Sequence, residues 1–201
     1  MAFFKTLLTQ TFPSIEGKGV TLRVPRLRDF EEWAALRAAS REFLSPWEPV
    51  WPEDDLTRAA YRRRLRRYEA DLREEMAYSF FIFRKSDDAL IGGVTLANLR
   101  RGAAQSGSIG YWMGKAFAGQ GYMTAGVAAL LPFSHGMLRL RRLEAACLPS
   151  NGPSIRLLEK LNFQREGLAR EYLSIAGKWQ DHILYARLAS DPVPDVAMPG
   201  R

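Results

Sequence analysis

The sequence predicts a single mixed α/β domain, and three observations support this prediction. The chain has 201 residues, which is a usual size for one domain. Its residues are 47% hydrophobic and 25% charged, so the chain can bury a core. Segments with alternating apolar residues, typical of strands, are interspersed with segments of helical periodicity. Their order along the chain is βααβββαβαββ, without a visible repeat or domain linker.

The first part of the chain predicts a strand, two helices and a proline-rich loop. Apolar residues alternate over 19–26, which predicts the first strand, and Asp29 is the expected cap of the helix that follows. Three prolines between 46 and 52 exclude a helix from that loop. Apolar residues spaced by three and four predict a second helix over 56–76.

The rest of the chain is predicted to contain six strands and two helices. One helix follows Gly121 and ends near Gly136. The other is capped by Ser150 or Asn151 and has Pro153 in its first turn, where proline is tolerated. The six strands are expected at 78–84, 89–99, 108–113, 142–148, 163–174 and 179–188.

The chain is basic, with a net charge of +7 and an isoelectric point of about 9.8. The charge is concentrated in Arg62–Arg67, on the second predicted helix. Such a run is either a solvated helix face or a docking surface for a ribosomal particle or another polyanion. No stretch reaches the ~18 consecutive apolar residues of a transmembrane helix, so no membrane partner is expected.

The cysteine and histidine content argues against disulfides and structural zinc. Cys147 is the single cysteine, which fits a reducing compartment, and its apolar strand favours a core role over that of a nucleophile. His135 and His182 are far apart and have no cysteine neighbours, so we expect no metal. The start of the chain lacks the pattern of a signal peptide, and we expect a cytoplasmic location.

The segment Gly119-Gln120-Gly121 separates a strand that ends near Met113 from a predicted helix. Such a junction exposes unpaired backbone N–H groups at the positive end of a helix, and glycine lets a ligand approach closely. It predicts an anion site suited to a pyrophosphate, with an ordinary tight turn as the alternative. A dinucleotide fingerprint fits poorly because the third glycine is missing, and the Gly-Lys-Ser/Thr of a Walker loop does not occur.

Together with the segment 149–163, this turn resembles the acetyl-CoA motifs of the GNAT N-acetyltransferases. The segments 43–50 and 166–182 resemble its ribosomal-protein-alanine N-acetyltransferase branch, which includes RimJ and RimL. The resemblance implies a single-domain GNAT fold with a central mixed, mostly antiparallel, splayed sheet flanked by helices. The domain is expected at 18–189, after an N-terminal extension (1–17) and before a flexible tail (190–201).

The resemblance assigns a cofactor, acetyl-CoA, to this region. It places the pyrophosphate on backbone amides of five consecutive residues, Gly119, Gln120, Gly121, Tyr122 and Met123. Met113 would pair with the pantetheine arm and polarise the thioester carbonyl. Asn151 would hydrogen-bond the pantetheine, or serve only as a helix cap. Ala116 and Ala118 depart from the family, which often has Gln or Arg before the glycines.

The resemblance also implies catalytic residues. The family's usual acid, a tyrosine, would stand at about Leu158, so it is missing here. Ser154 aligns with the serine assigned as the acid in the alanine acetyltransferases, or is only a residue of the first helical turn. Glu171 is the implied base, with an exposed strand carboxylate as the alternative reading. Glu166 and Glu48 are the next candidates.

We therefore expect acetyl transfer to a primary amine, most simply the N-terminal alanine of a ribosomal protein. Trp47, Glu48 and Trp51 are expected to line the peptide groove, with Glu48 attracting a cationic N-terminus. The alternatives are a small-molecule amine (a polyamine or an antibiotic), a catalytically silent acetyl-CoA-binding module, and an RNA-binding protein. Arg62–Arg67 would contact the ribosome, and the protein would be a monomer or a homodimer.

Overall fold

The computed structural model describes residues 14–197 and residue 199, and its centre is one eight-stranded sheet. The strands are β1 (Ile15–Glu16), β2 (Val20–Arg23), β3 (Tyr78–Arg84), β4 (Ala89–Arg100), β5 (Ser106–Met113), β6 (Arg142–Cys147), β7 (Gln164–Ile175) and β8 (Lys178–Leu188). Their order across the sheet is β1-β2-β3-β4-β5-β6-β8-β7. All neighbours are antiparallel except β5 and β6, which confirms the predicted mixed sheet.

Helices cover both faces of this sheet. They are α1 (Phe30–Ala39), α2 (Arg41–Leu44), α3 (Arg58–Arg73), α4 (Tyr122–Pro132) and α5 (Gly152–Lys160). Alternate residues of β3 divide between the two faces, as the period of a strand requires. Phe80 and Ile82 join the larger core with α4 and α5, whereas Phe81 and Phe83 join a smaller core with α1 and α3. The α/β class is therefore confirmed.

The sheet opens between β5 and β6. These strands pair over only three positions, Ser106–Ser108 with Arg142–Glu144. Beyond them β5 stays paired with β4 as far as Met113, while β6 stays paired with β8 as far as Cys147. Each strand keeps its outer neighbour and loses its inner one, which leaves a gap in the middle of the sheet.

Asp29 is the N-cap residue of α1, as predicted, but its side chain makes no cap hydrogen bond to that helix. Its carboxylate accepts two hydrogen bonds of 2.8 Å from Arg23 and one of 2.7 Å from the backbone N–H of Arg26. Asp29 is 5% exposed and ends the short 3-10 turn Leu27–Asp29. The guanidinium of Arg23 outcompetes the amides of α1 because a charged, bidentate pair is the stronger interaction.

Other elements differ from the predictions at their ends. A 3-10 turn, Ser45–Trp47, stands where the prolines were expected to exclude any helix, because Pro46 lies in its first turn and needs no N–H donor there. Helix α3 is shorter than predicted. The hydroxyl of Thr57 caps it by accepting the N–H of Ala60 at 3.2 Å, and Glu75 has a φ of 54° just after its end.

The domain limits at 18 and 189 stay a prediction, but both ends contact the fold. Strand β1 pairs with β2 although it belongs to the expected extension, most of which lies outside the described residues. In the expected tail, Val196 is 6% exposed, and its carbonyl accepts a 2.7 Å hydrogen bond from Lys18. Within residues 14–197, no helix is long and apolar enough to span a membrane.

His135 lies in the wider turn Phe133–Met137 that continues α4. Its Nδ1 is 2.9 Å from the carbonyl oxygen of Leu140, so Nδ1 carries the proton and donates it. Nε2 is buried without a partner among the described residues. Burial lowers the pKa of His135, because a second proton would place an unpaired charge inside the protein.

We expect the stability of the protein to fall as the pH drops through about 6.5, the ordinary pKa of histidine. The unfolded chain takes up a proton there that folded His135 resists, so acidification favours unfolding. Thermal unfolding at pH 7.5 and 5.5 measures this loss. His135→Gln should lose less stability over that interval, and an equal loss in both proteins would contradict this account of His135.

Candidate active site

The backbone of β5 carries unpaired groups on the side of the gap. The N–H of Gly114 donates to the carbonyl of Ile91 at 2.9 Å, toward β4. Successive residues of a strand direct their amides to opposite sides, so the amides of Tyr111 and Met113 point away from β4. Strand β6 has already diverged there. These groups can therefore pair with an extended ligand, the role predicted for Met113.

The glycine turn exposes the N-terminus of α4. Gly119 and Gly121 have φ values of 76° and 85°, which favour glycine, and a Cβ on Gly119 would meet nothing within 4 Å. The helix begins at Tyr122 without a side-chain cap, so the amides of its first turn, including that of Met123, have no helical acceptor. The residues predicted to hold a pyrophosphate thus form one open turn that fits an anion.

Side chains add little charge to this turn. Gln120 folds back and donates from Nε2 to the carbonyl of Ala116 at 2.9 Å. The guanidinium of Arg84 lies 5.0 Å from the ring centroid of Phe117, but it is paired with Asp87. Pro199 lies 3.6 Å from the position a Cβ of Gly121 would take. Anion binding here would rely on the backbone, as the two alanines beside the turn suggested.

A pair of hydroxyl groups lies between β5 and α5. The phenol oxygen of Tyr111 is 2.6 Å from Oγ of Ser154. Asn151 fixes the start of α5 by accepting the N–H of Ser154 at 3.1 Å, which confirms Asn151 as the cap. Burial raises the pKa of Tyr111, so its phenol stays protonated and can donate to Ser154. Tyr111 was not among the predicted site residues, although it carries a hydroxyl only two residues before Met113.

The neighbours of this pair are apolar or neutral. Cys147 ends β6 and is 5% exposed. Burial raises the pKa of its thiol, and a hydrogen bond with Ser154 opposes part of that rise. Leu158, at the place of the family's tyrosine acid, is fully buried in the larger core. The hydroxyls of Ser154 and Tyr111 are therefore proton donors that lie beside the gap, next to the protonated thiol of Cys147.

Two cavities lie on the α1 and α3 face of the sheet. The first has a volume of about 810 Å³ and lies between the proline-rich loop, α3 and β5. The second, of about 420 Å³, lies between β4, β5, β6 and the β7–β8 hairpin. Of the three residues predicted to line a peptide groove, Glu48 and Trp51 line the first cavity, whereas Trp47 is not among its lining residues. The first cavity is also lined by Arg63, Arg64 and Arg67 of α3. The arginines of this helix are therefore not all directed only at solvent.

Glu48 is held by three hydrogen bonds of 2.7 Å. Two come from the guanidinium of Arg37 and the third from the indole of Trp51. The guanidinium of Arg37 also lies 4.0 Å from the ring centroid of Trp51 and 4.9 Å from that of Trp112. The carbonyl of Glu48 accepts the N–H of Ala176, from the β7–β8 turn, at 2.9 Å. Glu48 thus fixes one end of the cavity wall.

The other carboxylates that line the cavities are also paired with arginine. Asp54 pairs with Arg63, Asp55 with Arg64, Glu144 with Arg100 and Arg142, and Glu166 with Arg142. The hydrogen bond from Arg142 lowers the pKa of Glu166, which weakens it as a base. Within the described chain, no group of three His, Cys, Asp or Glu residues could hold a metal ion.

Glu171, the implied base, lies at an irregular point of β7. Its φ is 47°, and the register with β8 shifts between Ala169 and Leu173. Asp181 holds this bulge by accepting the N–H of Glu171 at 2.9 Å. The side chain of Glu171 is exposed and does not line either cavity, whereas the next residue, Tyr172, lines the second. A bulge that re-aims side chains beside a cavity is typical of functional sites.

Comparisons with known proteins agree with this site. The family model of the acetyltransferase (GNAT) domain matches residues 20–164. A probable N-acetyltransferase of Bacillus subtilis, YjcK, is 37% identical over 177 residues, 88% of this chain and 98% of the relative. The [ribosomal protein uS5]-alanine N-acetyltransferase of Escherichia coli is 31% identical over 175 residues, 87% of this chain and 90% of the relative.

Solved structures agree in fold as well. RimJ of Mycobacterium smegmatis, in complex with CoA-disulfide, superposes with a TM-score of 0.82 at 32% identity, over 88% of this chain and 86% of RimJ. The ribosomal-protein-S5-alanine acetyltransferase of Vibrio fischeri superposes with a TM-score of 0.82 at 29% identity, over 89% of this chain and 98% of that protein. With an amide-lined gap, a glycine turn and these relatives, this chain belongs to the GNAT family of acetyl-CoA-dependent N-acetyltransferases.

Proposed function

We propose that this enzyme acetylates the N-terminal alanine of a ribosomal protein in the cytoplasm. The observation that carries the proposal is the gap where β5 and β6 stop pairing, because groups suited to the two substrates lie on opposite faces of the sheet beside it. The glycine turn and the Tyr111–Ser154 pair lie on the face of α4 and α5. The two cavities lie on the opposite face, where a polypeptide can extend away from the reaction point. The names of the Escherichia coli and Vibrio relatives support this acceptor.

The paired carboxylates favour an α-amine over a lysine side chain. A protein α-amine has a pKa near 8, so roughly a tenth of it is neutral at pH 7. A lysine side chain, with a pKa of about 10.4, is neutral in roughly one molecule in a few thousand. Every carboxylate that lines the cavities is paired with an arginine, so none is left unpaired beside a lysine ammonium. An α-amine therefore depends far less on a general base.

In the proposed reaction the neutral amine attacks the thioester carbonyl, and the CoA thiolate leaves. The amide of Met113 polarises that carbonyl from the gap. Glu171, acting through water from its exposed position on β7, takes the proton that the amine loses. Ser154 donates its hydroxyl proton to the thiolate and regains one from solvent. Tyr111 keeps its own proton and donates a hydrogen bond to Oγ, which leaves the hydroxyl of Ser154 free to point elsewhere.

The exposed arginines of α3 support a ribosomal acceptor. Arg62, Arg63, Arg66 and Arg67 are exposed, and of these Arg63 is paired, with Asp54. Their positive field would attract a polyanionic particle and bring its protein N-termini to the adjacent cavity. We therefore include a ribosome contact through these arginines in the proposal.

The function is tested with acetyl-CoA and peptides that begin with alanine. Mass spectrometry should detect the gain of one acetyl group on peptides with a free N-terminus. The same peptides with a blocked N-terminus and an internal lysine should stay unmodified. A polyamine and an aminoglycoside serve as competing acceptors. Acetylation of these amines, with the peptides unchanged, would replace the proposed acceptor by a small molecule.

Ser154→Ala should lower kcat by about 100-fold, because the thiolate loses its proton donor. Binding of acetyl-CoA, measured by calorimetry, should change by no more than about twofold, since the glycine turn is untouched. Tyr111→Phe should give an intermediate kcat. Ser150→Ala, an exposed serine just before the same helix, is the matched control and should be fully active. Equal kcat values for the two serine variants would remove Ser154 from the mechanism.

Glu48→Ala should destabilise the protein by about 3 to 5 kcal/mol, because it leaves Arg37 unpaired while only 8% of its side chain is exposed. Asp54→Ala, which breaks the exposed pair with Arg63, is the control and should cost about 1 kcal/mol or less. Urea denaturation measures both. A small loss in Glu48→Ala would mean that the carboxylate is available to the acceptor rather than committed to the wall.

A further inference from the structure

Two residues line both cavities, Thr95 of β4 and Gly110 of β5. They are direct partners in the β4–β5 ladder. The cavities of about 810 and 420 Å³ therefore meet at this pair and form one groove across the sheet. Thr95 has a side chain there, whereas one added at Gly110 would stand where the two parts of the groove join.

The fold does not require a glycine at position 110. A Cβ there would meet nothing within 4 Å, and its φ is not positive. Gly92 and Gly93 on the neighbouring strand differ, because a Cβ on either would lie 2.5 Å from an atom of Trp112. Glycine in a strand interior weakens the strand and has no side chain to pack. The empty space above Gly110 therefore points to a ligand that occupies it.

Strand alternation places this space on the acceptor side of β5. Tyr111 and Met113 pack with the larger core, so Gly110 and Trp112 present the opposite face. Trp112 belongs to the wall with Arg37, and Tyr172 lines the groove on the far side. Gly110 lies between these walls and has no side chain. A ligand that crosses the strand there can reach the unpaired backbone groups of the gap.

We propose that Gly110 determines acceptor specificity, by letting the main chain of an extended polypeptide cross β5 with a small first residue next to the gap. This inference rests on the proposed function. It narrows the acceptor to chains whose first side chain is small, because a larger one would compete for the space above Gly110. The groove on both sides of the crossing receives the residues that follow.

The experiment compares Gly110→Ala and Gly110→Val with the unsubstituted enzyme. We expect kcat/KM for an alanine-initiated peptide to fall about tenfold in Gly110→Ala and about 100-fold in Gly110→Val, mainly through KM. Melting temperatures should be unchanged or higher, and acetyl-CoA affinity should stay within about twofold. In Gly110→Ala, kcat/KM should fall further for a leucine-initiated peptide than for the alanine-initiated peptide.

Gly167→Val is the matched control. Gly167 is a strand glycine whose Cβ would also meet nothing within 4 Å, but it lines neither cavity. This variant should keep the kcat/KM of the unsubstituted enzyme. If the unsubstituted enzyme is active and kcat/KM of Gly110→Val stays within about threefold of its value, this inference alone is overturned. Failure of the unsubstituted enzyme to acetylate the peptide overturns the proposed function and this inference together.

Discussion

The separation of β5 from β6 is the constraint on which the rest of the site depends. After three ladder positions, β5 remains with β4 and β6 remains with β8, so backbone groups on both sides of the gap lose their partners. Buried backbone groups need partners, which here must come from water or from a ligand with its own amides. The pantetheine arm of acetyl-CoA carries two amides and an extended chain, which is the form that such a gap can pair with. The glycine turn lies beyond the end of β5, where the diphosphate of the same molecule would be received.

Arginine pairing limits what the acceptor side can do. Arg37, Arg63, Arg64 and Arg142 each hold carboxylates that would otherwise be free in the groove. A carboxylate fixed in this way shapes the wall of the groove, and the hydrogen bond from Arg142 also lowers the pKa of Glu166. The groove is therefore polar, and the carboxylates that line it are already paired. This arrangement suits the proposed α-amine acceptor, for which Glu171 is the proposed base.

Local patterns predicted much of this fold, and contacts distant in sequence limited the rest. The glycine turn depends on neighbouring residues, so the sequence is sufficient for it, and the cap of α5 is Asn151, one of the two residues predicted. Asp29 is at the predicted cap position, but its side chain does not cap α1, because Arg23, on a strand, binds its carboxylate. The Tyr111–Ser154 contact joins residues 43 positions apart, and no periodicity indicates it. Glu48 was predicted to bind the substrate, and its pairing with Arg37 of α1 could not be predicted for the same reason.

The alternation of β5 gives one short strand two different faces. Tyr111 and Met113 face the larger core with α4 and α5, and Gly110 and Trp112 face the side of α1 and α3, so a shift of one residue would exchange these positions. The register must therefore be fixed firmly. Gly92 and Gly93 of β4 pack closely against this strand, because a Cβ on Gly92 would lie 2.5 Å from the carbonyl oxygen of Trp112 and one on Gly93 would lie 2.5 Å from its indole Nε1. The indole can lie across β4 only because Gly93 has no side chain, and from there it contacts Arg37. The position of Trp112 and the close packing of β5 on β4 thus depend on the same pair of glycines.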